Sequence, residues 1–120
     1  MGHLAVNGED VRMGLPMIQP YLAAIGAKDA RHQLDERTQR PARYTDAFVL
    51  LGEGAAQVDD TMALLKTWHF EGPISIHTEY TADPDVIATV GGKDDSQEAQ
   101  ALGVRGEKHD LTVLRALLAS

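Results

Sequence analysis

The sequence contains no cysteine. That excludes disulfides and thiolate metal sites, and it agrees with a reducing compartment. No apolar run approaches the roughly 20 residues that a membrane-spanning helix requires. The first residues lack the basic and apolar regions of a secretory signal. A cytoplasmic location without a membrane partner is the resulting expectation. Basic residues are in short supply, with 11 Lys and Arg against 18 Asp and Glu and a net charge of −7. A nucleic-acid partner is not expected, because such a surface needs cations to neutralise phosphates. An anionic membrane would gain no attraction either. The sequence also lacks a Gly-x-Ser-x-Gly elbow, an HExxH pair, an EF-hand loop, a Walker lysine and a GxGxxG turn. Serine hydrolysis, zincin chemistry and nucleotide binding by those motifs have no support.

What is present fits one domain of 120 residues, 43% hydrophobic and 24% charged, which is ordinary for a globular chain. Asn7-Gly8 reads as a turn, followed by Glu9 and Asp10 in a first helical turn. Val11, Leu15, Ile18 and Leu22 recur at helical spacing. Pro16 should kink this helix and Pro20 should end its regular bonding. Ala23–Ala27 is short, apolar and stopped by Lys28-Asp29, so a buried strand is preferred to a helix. Residues 30–46, with Arg31, Arg37, Arg40 and Arg43, read as a long loop. The run Ala47–Leu51 reads as extended and leads into Gly52-Glu53-Gly54.

A clearer helix follows. Asp59 and Asp60 occupy its first turn, Val58, Met62, Leu65 and Trp68 form its apolar stripe, and Gly72-Pro73 stops it. Residues 74–78 alternate, so Ile74 and Ile76 face one side while Ser75, His77 and Glu79 face the other. Residues 81–106 read as an irregular insertion with a short helix near 95–102. Asp110 is expected to cap a last helix carrying Leu111, Leu114, Leu117 and Leu118. No repeat of fixed period is present. Alternating helices and strands predict β/α units around a parallel sheet.

Two polar clusters fall at the C-terminal ends of predicted strands, where alternating β/α architectures place their chemistry. Lys28-Asp29-x-Arg31 can clamp a phosphate or carboxylate, or it can be a solvated strand end. His77 and Glu79 emerge on one face. They can hold a divalent metal or move a proton, or they can be a solvent-exposed rim pair.

The order of these segments carries a resemblance. Gly2-His3 matches the end of an Asp-x-Gly-His segment. Tyr21-Leu22-Ala23-Ala24-Ile25, then Lys28-Asp29 and Arg31, match a strand with its polar end. Gly52-Glu53-Gly54 matches a Pro-Leu-Gly-Glu-Gly segment, and Gly72–Glu79 matches the final strand. In this order they resemble the C-terminal part of the sugar phosphate isomerase/epimerase family, in the xylose-isomerase-like TIM barrel superfamily. The match covers residues 2–31 and 47–80 and, loosely, the final helix.

The resemblance implies the last two to three β/α units of a partial (β/α)8 barrel, hence an α/β fold and a single incomplete domain over residues 1–120. It implies a small sugar or sugar phosphate as partner and aldose–ketose isomerisation or epimerisation as the parent reaction. A divalent metal (Mn, Mg, Co or Zn) would polarise the sugar while a carboxylate moves the proton. Glu79 matches the last metal-binding Glu and is the catalytic candidate. His3 and Arg31 match substrate contacts, and Lys28 and His77 join them as substrate-binding candidates. The other three metal ligands have no counterpart, and Gly26 stands at the position of the family's His. Two readings follow. The chain is a piece of a barrel of roughly 250 residues, inactive alone, or a shortened non-catalytic relative that binds sugar or oligomerises. Either way, a few barrel strands leave unpaired edges, so the missing half-barrel or a second copy is the expected partner. An abasic-site endonuclease, from the same superfamily, fits poorly with the acid excess.

Overall fold

The computed structural model describes residues 1–34, 44–78 and 97–120. The order is α1 (Gly2–Val6), α2 (Val11–Ile18), a 3-10 turn (Gln19–Tyr21), β1 (Ile25–Ala27), β2 (Asp29–Leu34), β3 (Tyr44–Val49), α3 (Val58–Thr67), β4 (Ile74–Ile76) and α4 (Gln97–Ala119). It is a mixed α/β fold with two small sheets. β1 and β4 pair in parallel, Ile25 with Ile74 and Ala27 with Ile76. β2 and β3 form an antiparallel ribbon, Asp29 with Val49 through Leu34 with Tyr44. Among the described residues the strands close no barrel.

Local chemistry sets the helices. Asp10 is the N-cap of α2 and its carboxylate accepts from the Arg12 amide. Pro20 lies where α2 tightens into the 3-10 turn, as the loss of its amide donor predicts. α3 starts at Gln57, held in a left-handed conformation with φ of 49°. The Gln57 side chain accepts from the first amide of α2, Val11, at 2.8 Å, so the two helix starts are tied together. α3 ends at Thr67 with a Schellman motif. The His69 amide donates to Lys66 O and the Phe70 amide to Leu65 O, with His69 at φ of 51°. The turn that stops this helix is therefore built by His69. Gly72 serves close packing instead, since a Cβ there would strike the Phe70 ring and come within 2.5 Å of the Ala23 carbonyl.

The core lies between the parallel pair and the helices. Ile25 and Ala27 pack with Val11, Leu15, Val58, Met62, Leu65 and Leu114, and Ile74 and Ile76 flank them. Ser75 and His77 lie exposed on the other face, as the alternation predicts.

Three expectations change. Residues 30–46 are not simply a loop, because β2 and β3 occupy 29–34 and 44–49. Pairing across the ribbon stabilises the polar stretches 30–34 and 44–46, which carry no strand pattern of their own, and joins them to the extended run that begins at Ala47. The insertion expected over 81–106 ends at Gln97, where a helix of 23 residues begins; residues 81–96 lie outside the described residues. Gly103 and Gly106 lower intrinsic propensity there, yet the helix runs through both into the segment that packs on the core through Leu114. Asp110 is consequently not a cap. It lies within α4, fully buried, and its carboxylate accepts from the Leu51 amide at 2.9 Å. No helix among the described residues is long and apolar enough to cross a membrane.

Candidate functional site

The parallel register aligns the ends of β1 and β4, so Lys28 and His77 each follow a strand at the same end of the sheet. Lys28 is buried, with 5% of its surface exposed. Its Nζ lies 3.8 Å from the centroid of the Phe48 ring, a distance suited to cation–π attraction. The stem of Lys28 passes against Gly2, where an added Cβ would come within 2.7 Å of Cγ. His3, on α1, meets the same ring edge-on, with centroids 6.2 Å apart and planes at 77°. His3 and Lys28, 25 positions apart in sequence, thus converge on Phe48.

His77 is exposed on the polar sheet face, and its amide donates to Ala27 O at 3.0 Å. Its imidazole lies over Gly26: a Cβ at residue 26 would be 3.1 Å from Nε2 and 3.3 Å from Cε1. The glycine at this position therefore leaves room for the ring of His77. The Met1 amine donates to Gly26 O at 2.9 Å. Burial first, and then the nearby Lys28 charge, lower its pKa from the usual 8.0, with Asp29 opposing the shift. Ile25 N and Ala27 O bond toward β4, so strand alternation turns Gly26 O to the other edge of β1. Met1 therefore sits on that outer edge.

Arg31 is exposed on β2, opposite Ala47. Phe48 pairs with Ala30, so Arg31 belongs to the opposite face of the ribbon and is not gathered with His3 and Lys28. Glu79 lies outside the described residues. Among the described residues, no three His, Asp or Glu side chains are grouped so as to hold a metal ion.

Asp29 has a part that its place in a polar cluster does not foretell. It is 1% exposed. Its Oδ1 accepts from the amides of Ala30 and Ala56, both at 2.8 Å, and its Oδ2 from those of Gly52 and Gly54, both at 3.0 Å. The Ala55 amide adds a bond to Ala30 O at 2.8 Å. One buried carboxylate thus satisfies four donors and fixes the connection from β3 to α3. Both glycines are explained by this geometry. Gly52 adopts φ of 90°, a region that L residues with side chains avoid. At Gly54 a Cβ would collide with Asp29 Oδ1 and the Ala30 carbonyl. Asp110 holds the start of the same connection through Leu51, and His109 Nδ1 lies 3.1 Å from its carboxylate. Across the ribbon, His32 Nδ1 and Asp46 form a pair at 2.7 Å. Phe48, His32 and Asp46 gave no signal in the sequence because their partners come from other elements.

Comparison with known proteins brings no match, whether with family models, curated proteins or solved structures. The arrangement is defined by its own chemistry. It offers two imidazoles and an ammonium at the polar end of a parallel strand pair, an aromatic ring between two of them, and a rigid connection fastened by Asp29.

Proposed function

We propose that this chain contributes the substrate-holding end of a sugar phosphate isomerase/epimerase-like partial barrel. The observation that carries the reading is the parallel pairing of Ile25–Ala27 with Ile74–Ile76, apolar toward the helices and ending at Lys28 and His77. That is the layout in which β/α folds recognise ligands at the C-terminal ends of strands. In this reading Lys28 supplies positive potential from beneath, while the exposed His3 and His77 donate hydrogen bonds to a phosphate or to sugar hydroxyls. Arg31 faces away and contributes only if its side chain reaches round the ribbon.

A divalent metal, which the resemblance implies, does not fit the described residues: Gly26 offers no ligand and no trio of suitable side chains is assembled. This same observation favours the second reading, a non-catalytic sugar-binding or oligomerising relative. The first is tested by amide NMR titration of the chain with ribose 5-phosphate, ribose and inorganic phosphate. Saturable shifts at His3, Lys28 and His77 with the sugar phosphate are expected. Equal shifts with phosphate alone would reduce the site to anion binding, and no shifts would overturn the proposal. Calorimetry with Mn²⁺ separates the two readings. Binding that Glu79→Gln abolishes supports the catalytic one, and no binding supports the other.

A further inference from the structure

A concave surface lies at the opposite end of the parallel pair from Lys28 and His77. It is a cleft of about 410 Å³ whose lining includes Ala23, Trp68, His69, Phe70, Glu71 and Gly72. Its walls are the segments that precede β1 and β4, so it shares no residue with the strand-end cluster around Lys28 and His77. We infer that this cleft binds a small organic cation with an apolar body, of the alkylammonium class.

Three features of independent origin select that class. The first is aromatic. Trp68 and Phe70 line the cleft, and both stay half-buried because they also pack against the core. Indole and phenyl faces attract cations through their quadrupoles, most strongly where water is partly excluded. The second is the end of α3. Trp68 is the C-cap of this ten-residue helix, and the aligned peptide dipoles give a helix C-terminus partial negative charge. The third is Glu71, the only carboxylate among the lining residues, with no Lys or Arg among them. The chain's net charge of −7 adds a long-range attraction of the same sign. An anion would meet all three as repulsion. A neutral apolar molecule would gain contact with the rings and nothing from the other two.

The backbone holds this cleft in shape. The Schellman bonds from His69 and Phe70 fix the turn, and Gly72 allows the Phe70 ring to close over it. A ligand would therefore meet a turn whose backbone is already fixed, which lowers the entropic cost of binding.

Trp68 is the only tryptophan in the chain, so its fluorescence reports on this cleft directly. The test titrates the intact chain with choline and, separately, with 3,3-dimethyl-1-butanol, its neutral isostere. Choline is expected to change the emission saturably in the millimolar range, with the isostere at least about tenfold weaker, as a charge–quadrupole interaction requires. Glu71→Gln should weaken choline by about three- to tenfold, because the substitution removes the one carboxylate of the cleft. Equal affinity for choline and the isostere, indifference to Glu71→Gln, or no saturable response to choline would each overturn the inference. Failure here leaves the sugar phosphate reading standing, because the two sites share no lining residue.

Discussion

Asp29→Asn is the most demanding test of the architecture. The wild-type carboxylate accepts four amide donors at 2.8–3.0 Å while almost fully buried. Asparagine preserves the shape but can accept on one oxygen only. Its amide group must then face two backbone N–H groups, donor against donor. Hydrogen bonds to a charged group are worth about 1.5–3 kcal/mol each, so losing two puts the gross cost at about 3–6 kcal/mol. Burying a neutral amide instead of a charge returns part of this, because a buried carboxylate carries a desolvation penalty of its own. A net loss of about 3 kcal/mol is the expectation. Small domains have only about 5–15 kcal/mol of stability in total, and such a loss lowers Tm by roughly 10 °C or more. Urea denaturation followed by circular dichroism measures the global effect. Amide exchange at Gly52, Gly54 and Ala56 measures the local one and should accelerate. Asp46→Asn, at an exposed carboxylate, is the matched control. A loss below about 1 kcal/mol, within the range of ordinary surface substitutions and their near neighbours, together with unchanged protection at the three amides, would refute the reasoning.

The same geometry makes three further predictions. Gly54→Ala drives a Cβ into Asp29 Oδ1 and the Ala30 carbonyl. It should cost about 2 kcal/mol or more, and combined with Asp29→Asn it should be clearly less than additive, as contacting positions are; a double-mutant cycle in urea reads this. Met62→Ala, at a position 1% exposed, should cost about 2–5 kcal/mol through the cavity it leaves, measured by the same denaturation. Asp10 has its pKa lowered to about 2 from 3.8, first by the Arg12 side chain and then by the Arg12 amide. The folded value is the lower one, so the contribution is complete above 3.8 and is lost as pH falls through about 2. Carboxyl NMR should show this titration and its return toward the ordinary value in Arg12→Ala.

The sequence by itself determined the elements whose pattern is local. The period of Val58, Met62 and Leu65 sufficed for α3, since one face of a helix must be apolar to meet the core. The alternation of Ile74, Ser75, Ile76 and His77 sufficed for the two faces of β4, and the charged stop at Lys28 for the end of β1. Tertiary structure alone decided the rest. Residues 29–34 and 44–46 became strand because each side of the ribbon supplies the other's backbone partners; of these two strands only Ala47–Val49 reads as extended in the sequence. Asp29 reads as one polar residue in a cluster until residues 52, 54 and 56 are folded back onto it. Only then does its carboxylate become the acceptor that fixes the connection, and only then does Gly54 become obligatory. Asp110 looks like a cap and is instead a buried acceptor for Leu51, 59 positions away. His3 from α1 and Lys28 from the link between β1 and β2 meet at Phe48 of β3. Local periodicity encodes which face is buried; which polar groups satisfy one another depends on contacts across the chain.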